Sequence, residues 1–189
     1  MYKQLFILLF NLIASPVKTW EGLAEEQDTN NENFHKSYLY PIIGIIALLS
    51  FLGVLAYLKN FDLQIALKTV IKVTIVYFAG FYLEAYCLFR ILPKYFGQEV
   101  KMYICERFTG YSSAVVYTVA MVAALFPALF FIQIFIFYAV YLIWLGATHY
   151  LQIKEEYLTK FTIFASILIL FSPLLIQWLI SLLMPGLKL

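Results

Sequence analysis

The sequence predicts an all-α polytopic membrane protein, with five transmembrane helices preceded by an N-terminal interfacial amphipathic helix. Two observations carry this prediction. Hydrophobic residues make up 63% of the chain and charged residues only 13%, against about 45–50% and about 25% in soluble domains, and mean hydropathy is +0.86. Apolar segments also recur at the length of roughly 20 residues that a helix needs to cross a bilayer. The expected surroundings are therefore a lipid bilayer. A formal charge of +2, without a basic patch interleaved with aromatics, argues against nucleic acid as a partner.

The opening "FILLFNLIASPVKTWEGLAEE" (6–26) admits two readings, a cleaved secretory signal or a retained helix on the membrane. A cut after Ala14 would leave Leu12 where a small residue is expected. Gln4, Asn11 and Ser15 stack at i, i+7 and i+11 beside Lys3, among Leu5 to Phe10. That is a narrow wet stripe on an apolar helix, the pattern of an interfacial segment. Ser15 then suits an N-cap with Pro16 at the first helical position. A second short helix follows, with Val17, Trp20 and Ala24 on one face and Lys18, Glu21 and Glu25 on another. Trp20 is expected to anchor it at the interface. Residues 1–26 thus form an N-terminal cytoplasmic or interfacial segment, 27–36 an acidic polar linker, and 37–189 the membrane domain.

The spans follow in order. The first covers about 37–58 and is closed by Lys59, Asn60 and Asp62. The second covers about 70–92, just past Arg90, and is expected to stop at Pro93. Residues 110–150 hold no Asp, Glu, Lys or Arg and are twice the length of one span. Proline disfavours helix just before it, so Pro127 divides this stretch into a hairpin of spans 110–126 and 128–149. The fifth covers about 161–184 and ends at Pro185-Gly186. With five spans, nine of the 13 Lys and Arg fall on the side of the N-terminus and four on the other. The excess of cations marks the cytoplasmic side, placing the N-terminus in the cytoplasm and the C-terminus outside.

Few residues offer chemistry. Cys87 and Cys105 make no CxxC or Cys/His spacing, and phosphate-loop, zinc-protease and serine-nucleophile motifs are missing. His35 and His149 have no cysteine or acid at ligand spacing around them, so neither a metal nor a cofactor is expected. Glu84 is the acid deep in a span ("YFAGFYLEAYCLFR"). An intramembrane carboxyl group faces the bundle interior and needs a partner. Tyr77, Gly80 and Cys87 share its face, but Tyr77 stands about two turns away, so a group on another helix is expected. Two readings stay open: a proton or cation site, or a neutral hydrogen-bonded structural group. Arg90 lies about 240° around the helix from Glu84 and is expected to snorkel to the surface as an anchor. Two polar stripes recur, Gln133, Tyr141, Trp144 and Thr148 on the fourth helix and Ser166, Pro173, Gln177 and Ser181 on the fifth. They would either line a wet cavity or join helices through hydroxyls and amides. Pro173 also frees the carbonyl of Ile169, which Ser172 or a neighbour is expected to satisfy.

"SPVKTWEGLAEE" with Pro16 and Trp20, then "YLYPIIGIIALLSFLGV" with Pro41, resembles the start of bacterial members of the Yip family. That family takes its name from eukaryotic relatives that interact with Ypt/Rab GTPases. Gly110-Tyr111-Ser112 opening the third span, and "YLIWLGATHYLQI" with Trp144 and Gly146, resemble its later signatures. The resemblance implies five spans, a cytoplasmic N-terminus, the bacterial inner membrane and no known catalytic residues. The acidic Asp-Leu-Tyr-Gly-Pro motif of eukaryotic members is missing, so the resemblance does not bring Rab-type binding with it. Ala114-Val115 replaces the proline that often follows Gly-Tyr-Ser, which predicts a straighter third span. What a bacterial member does is not implied by the resemblance; the function expected here is organisation of the membrane or interaction with a membrane-protein partner or a second copy. The alternative is a small channel or transporter using Glu84 and the polar stripes.

Overall fold

The computed structural model describes residues 2–26, 34–57 and 62–183; the acidic linker between 27 and 33, Lys59, Asn60 and Pro185-Gly186 lie outside them. The described residues are helical almost throughout, without strands. Four of the described helices are long and apolar enough to cross a membrane, and the count reaches five when a bent helix pair is taken as one span.

The N-terminal segment folds as a helical hairpin, α1 (Tyr2–Ala14) and α2 (Pro16–Glu25), joined at Ser15. Leu5, Leu9 and Leu12 recur at helical spacing and are buried, while Phe6, Ile7 and Phe10 point outward. Ser15 occupies the N-cap position without capping through its side chain. Its carbonyl instead accepts from Thr19 Oγ1 at 2.8 Å.

The first span begins with a π-helical turn (His35–Leu39) and continues as α3 (Tyr40–Tyr57). The second, α4 (Leu63–Phe96), starts at Asp62, whose carboxylate accepts from the backbone N–H of Gln64 at 2.8 Å and Ile65 at 3.3 Å. It runs through Pro93 rather than stopping there, and ends one turn later at Gly97, whose φ of 62° suits glycine as a C-terminal cap.

The third span is longer and more bent than the sequence suggests. It comprises α5 (Met102–Ser112) and α6 (Ala114–Leu125), inclined at 46° across Ser113. The bend falls at Gly110-Tyr111-Ser112-Ser113, the glycine–serine composition that favours kinks without proline. The turn at Phe126–Ala128 is where Pro127 predicts it, and the chain returns as a 3₁₀ helix (Phe130–Phe137) leading into α7 (Tyr138–His149). The fifth span, α8 (Glu155–Leu183), carries Pro173 inside it.

In the bundle α4 packs against α3, α5 and α8, and α3 also packs along α6. A Cβ on Gly53 would land on the carbonyl oxygen of Ala124, so glycine there lets the first and third spans approach backbone to backbone. The hairpin is docked on this bundle, α1 against α6 and α2 against α7.

Candidate functional site

Glu84 sits on the interior face of α4 and is 3% exposed. Its partner lies on another helix: Ser172 Oγ of α8 donates to Glu84 Oε1. Gly80, one turn earlier on α4, makes room for that contact, since a Cβ there would lie 3.3 Å from Ser172 Oγ. A serine has one proton to donate, so Ser172 is committed to Glu84 and not to the Ile169 carbonyl that Pro173 frees. Glu84 Oε2 faces no hydrogen-bond partner among the described residues. Glu84 borders a cavity of about 10 Å³ shared with Tyr77, Ser113 and Tyr117, space for about one water molecule. Tyr77 packs edge-on against Tyr117, ring centroids 5.9 Å apart.

Beyond Glu84, toward the ends of the helices at Phe96 and Glu155, the interior is packed mainly with apolar side chains, among which Thr109, Thr162 and Ser166 are also buried. Leu88, Leu92, Phe108, Phe161 and Ala165 are all fully buried, with Phe161 packed against Phe96 and Phe108 at centroid distances of 5.3 and 5.8 Å. In the opposite direction the Glu84 chamber abuts an open groove of about 1010 Å³ between α4, the 3₁₀ helix and α8. Val76, Tyr77, Val116 and Pro173 line both.

The predicted polar positions therefore separate. Tyr77, Gln133 and Gln177 border the groove, whereas Tyr141 does not join them. Tyr141 and Trp144 are 41% and 44% exposed on the outer face of α7, their rings tilted at 33° with centroids 6.3 Å apart. Ser166 is buried, Ser181 is half-buried, and Thr148 Oγ1 and Ser181 Oγ each donate to a carbonyl of their own helix. Arg90 is exposed.

Trp20 corrects the sequence reading. It is not an interface anchor but is fully enclosed by protein, seated against Phe108, Tyr111 and Tyr150 with centroids 5.9, 6.1 and 5.5 Å away. Gly146 forms the floor of this seat: a Cβ there would come within 2.7 Å of the indole. Gly110 plays a similar part beneath Phe34, where a Cβ would lie 2.6 Å from the ring, and its carbonyl accepts from Tyr38 Oη at 3.2 Å. Pro16 is buried at the start of α2, Pro41 half-buried early in α3, and Ser112 fully buried at the bend. Family-motif residues far apart in the chain thus meet around Trp20 and Gly110.

Polar ties reinforce this docking. Arg107 Nη1 donates to the Glu26 carbonyl at 3.3 Å. His149 Nδ1 faces Glu21 Oε1 at 3.7 Å, and His35 Nε2 faces Glu106 Oε2 at 3.6 Å. Sequence reasoning missed these pairs because each acid comes from a different helix. Among the described residues no group of three or more His, Cys, Asp or Glu could hold a metal ion.

The model of a family described as the Yip1 domain matches residues 10–184. No curated protein and no solved structure matches the chain.

Proposed function

Because this chain belongs to the Yip1-domain family, with the match covering most of its length, we propose that it works without catalysing a reaction. It acts by organising the bilayer or by associating there with another membrane protein or a second copy of itself. The observation that carries this reading is the distribution of polar groups. Glu84 is enclosed beside a cavity of about 10 Å³, too small for a substrate. The fully buried Leu88, Leu92, Phe108 and Phe161 stand between it and the other end of the bundle. What the chain offers its surroundings is surface. Leu48 and Leu52 on α3, and Phe171, Leu174 and Trp178 on α8, are exposed, as lipid- or partner-facing residues must be. Orientation in a bacterial inner membrane with the N-terminus cytoplasmic accords with the cation asymmetry.

Photoreactive residues placed singly at Leu48, Leu52, Phe171 and Trp178 in the full-length protein, irradiated in intact cells, test the reading. A discrete protein adduct confined to one face supports association. Lipid adducts from every face, with no change of vesicle size or shape on reconstitution, would remove both arms of the proposal.

A further inference from the structure

The groove between α4, the 3₁₀ helix and α8 is not used by the reading above. Its volume of about 1010 Å³ is at the top of the ~300–1,000 Å³ usual for small-molecule sites. Its walls are mostly apolar, including Val73, Phe131, Phe135 and Leu174. One wall is unusual in itself. Phe130–Phe137 is a 3₁₀ helix of eight residues, none of them buried, whereas 3₁₀ runs seldom exceed 3–4 residues. Four polar side chains interrupt the apolar lining: Lys72, Tyr77, Gln133 and Gln177. Lys72 is half-buried, and among the described residues no carboxylate pairs with it.

The depth of Lys72 follows from helix geometry. It precedes Arg90 by eighteen residues on one continuous helix, which at 1.5 Å per residue is about 27 Å, close to the ~30 Å thickness of the hydrocarbon core. The two cations therefore mark the two headgroup levels. Val73, Val76 and Tyr77 descend from Lys72 along the same groove into the hydrocarbon. An ammonium at headgroup level, two amides in the same groove and phenyl-lined walls describe the complement of an amphiphile with an anionic head. We propose that this groove is a binding site for one anionic glycerophospholipid. Its phosphate meets Lys72, Gln133 and Gln177 donate to its phosphate or ester oxygens, and its acyl chains lie along the phenylalanines of the 3₁₀ helix. The site stands independently of the functional reading above, because a bound lipid neither requires nor excludes a protein partner.

The test is native mass spectrometry of the full-length protein in detergent, titrated separately with phosphatidylglycerol and phosphatidylcholine. The expected result is one tightly held phosphatidylglycerol per chain, preferred over phosphatidylcholine. Lys72→Gln removes a charge-assisted hydrogen bond to the phosphate and weakens binding about tenfold or more. Lys68→Gln, one turn away and outside the groove lining, leaves it unchanged. Leu174→Trp, at a 60% exposed wall position that spares the core, narrows the groove and lowers occupancy. Circular dichroism confirms that each variant is folded. Equal affinity for both lipids, equal loss in Lys68→Gln and Lys72→Gln, undiminished occupancy in Leu174→Trp, or a lipid-free dimer would each overturn the proposal.

Discussion

Replacing Gly146 by alanine tests how the N-terminal hairpin is held. An added Cβ would lie 2.7 and 2.9 Å from Trp20 Cζ2 and Cη2 and 2.9 Å from Phe108 Cε2. Both rings are fully buried, so neither swings aside freely. Overpacking of a filled core costs about 1–3 kcal/mol, while alanine returns about 0.5–1 kcal/mol over glycine within a helix. The expected net loss is about 0–2.5 kcal/mol. Gly22→Ala is the internal control, because a Cβ there meets nothing within 4 Å, and only the propensity gain is expected. Trp20→Ala alone should cost about 3–5 kcal/mol. In that background the penalty of Gly146→Ala should fall by about 1 kcal/mol, within the ~0.5–3 kcal/mol coupling usual for touching residues; Phe108 keeps it from vanishing. Denaturant unfolding in micelles, followed by circular dichroism, measures all four variants. If Gly146→Ala is as benign as Gly22→Ala, or its penalty is the same without Trp20, the indole does not rest on Gly146 and the docking is wrong.

Glu84→Gln keeps an acceptor for Ser172 Oγ and should cost less than about 1.5 kcal/mol, the net worth of one hydrogen bond; thermal unfolding checks it. Asp62→Ala removes the cap of α4 and should cost about 1 kcal/mol, with loss of helicity at that end visible by hydrogen exchange. Glu21→Gln, whose side chain is 55% exposed beside His149, should change stability by less than about 1 kcal/mol at any pH, as exposed ion pairs do. A larger loss would mean that the polar ties, rather than Trp20, hold the hairpin.

Much of this architecture was legible because a bilayer sets simple rules of length. The uncharged stretch 110–150 and Pro127 sufficed to place a hairpin, and the apolar runs sufficed to place the other spans. Span ends were less legible where polar groups find partners inside the protein. Residues 102–109 carry Glu106 and Arg107 and read as a loop. His35 and the Glu26 carbonyl, which accompany these charges in α5, are distant in sequence. Trp20 was misread for a related reason. A tryptophan on an amphipathic helix has the same local signature whether it faces headgroups or protein, and only the gap at Gly146 distinguishes them. Tyr141 shows the limit of stripe arguments, since periodicity aligns residues on one face without saying which neighbour that face meets. The partner of Glu84 was rightly sought on another helix, but nothing local singles out Ser172 among the serines of α8.

The most direct measurement is flux through the full-length protein reconstituted in liposomes, with wild type and Glu84→Gln compared under a pH gradient and a membrane potential. A buried Glu84, with the fully buried Leu88, Leu92, Phe108 and Phe161 beyond it, predicts that neither protein carries protons or cations above the level of empty vesicles. Robust wild-type flux that disappears in a folded Glu84→Gln variant would contradict the account and make the chain a transporter.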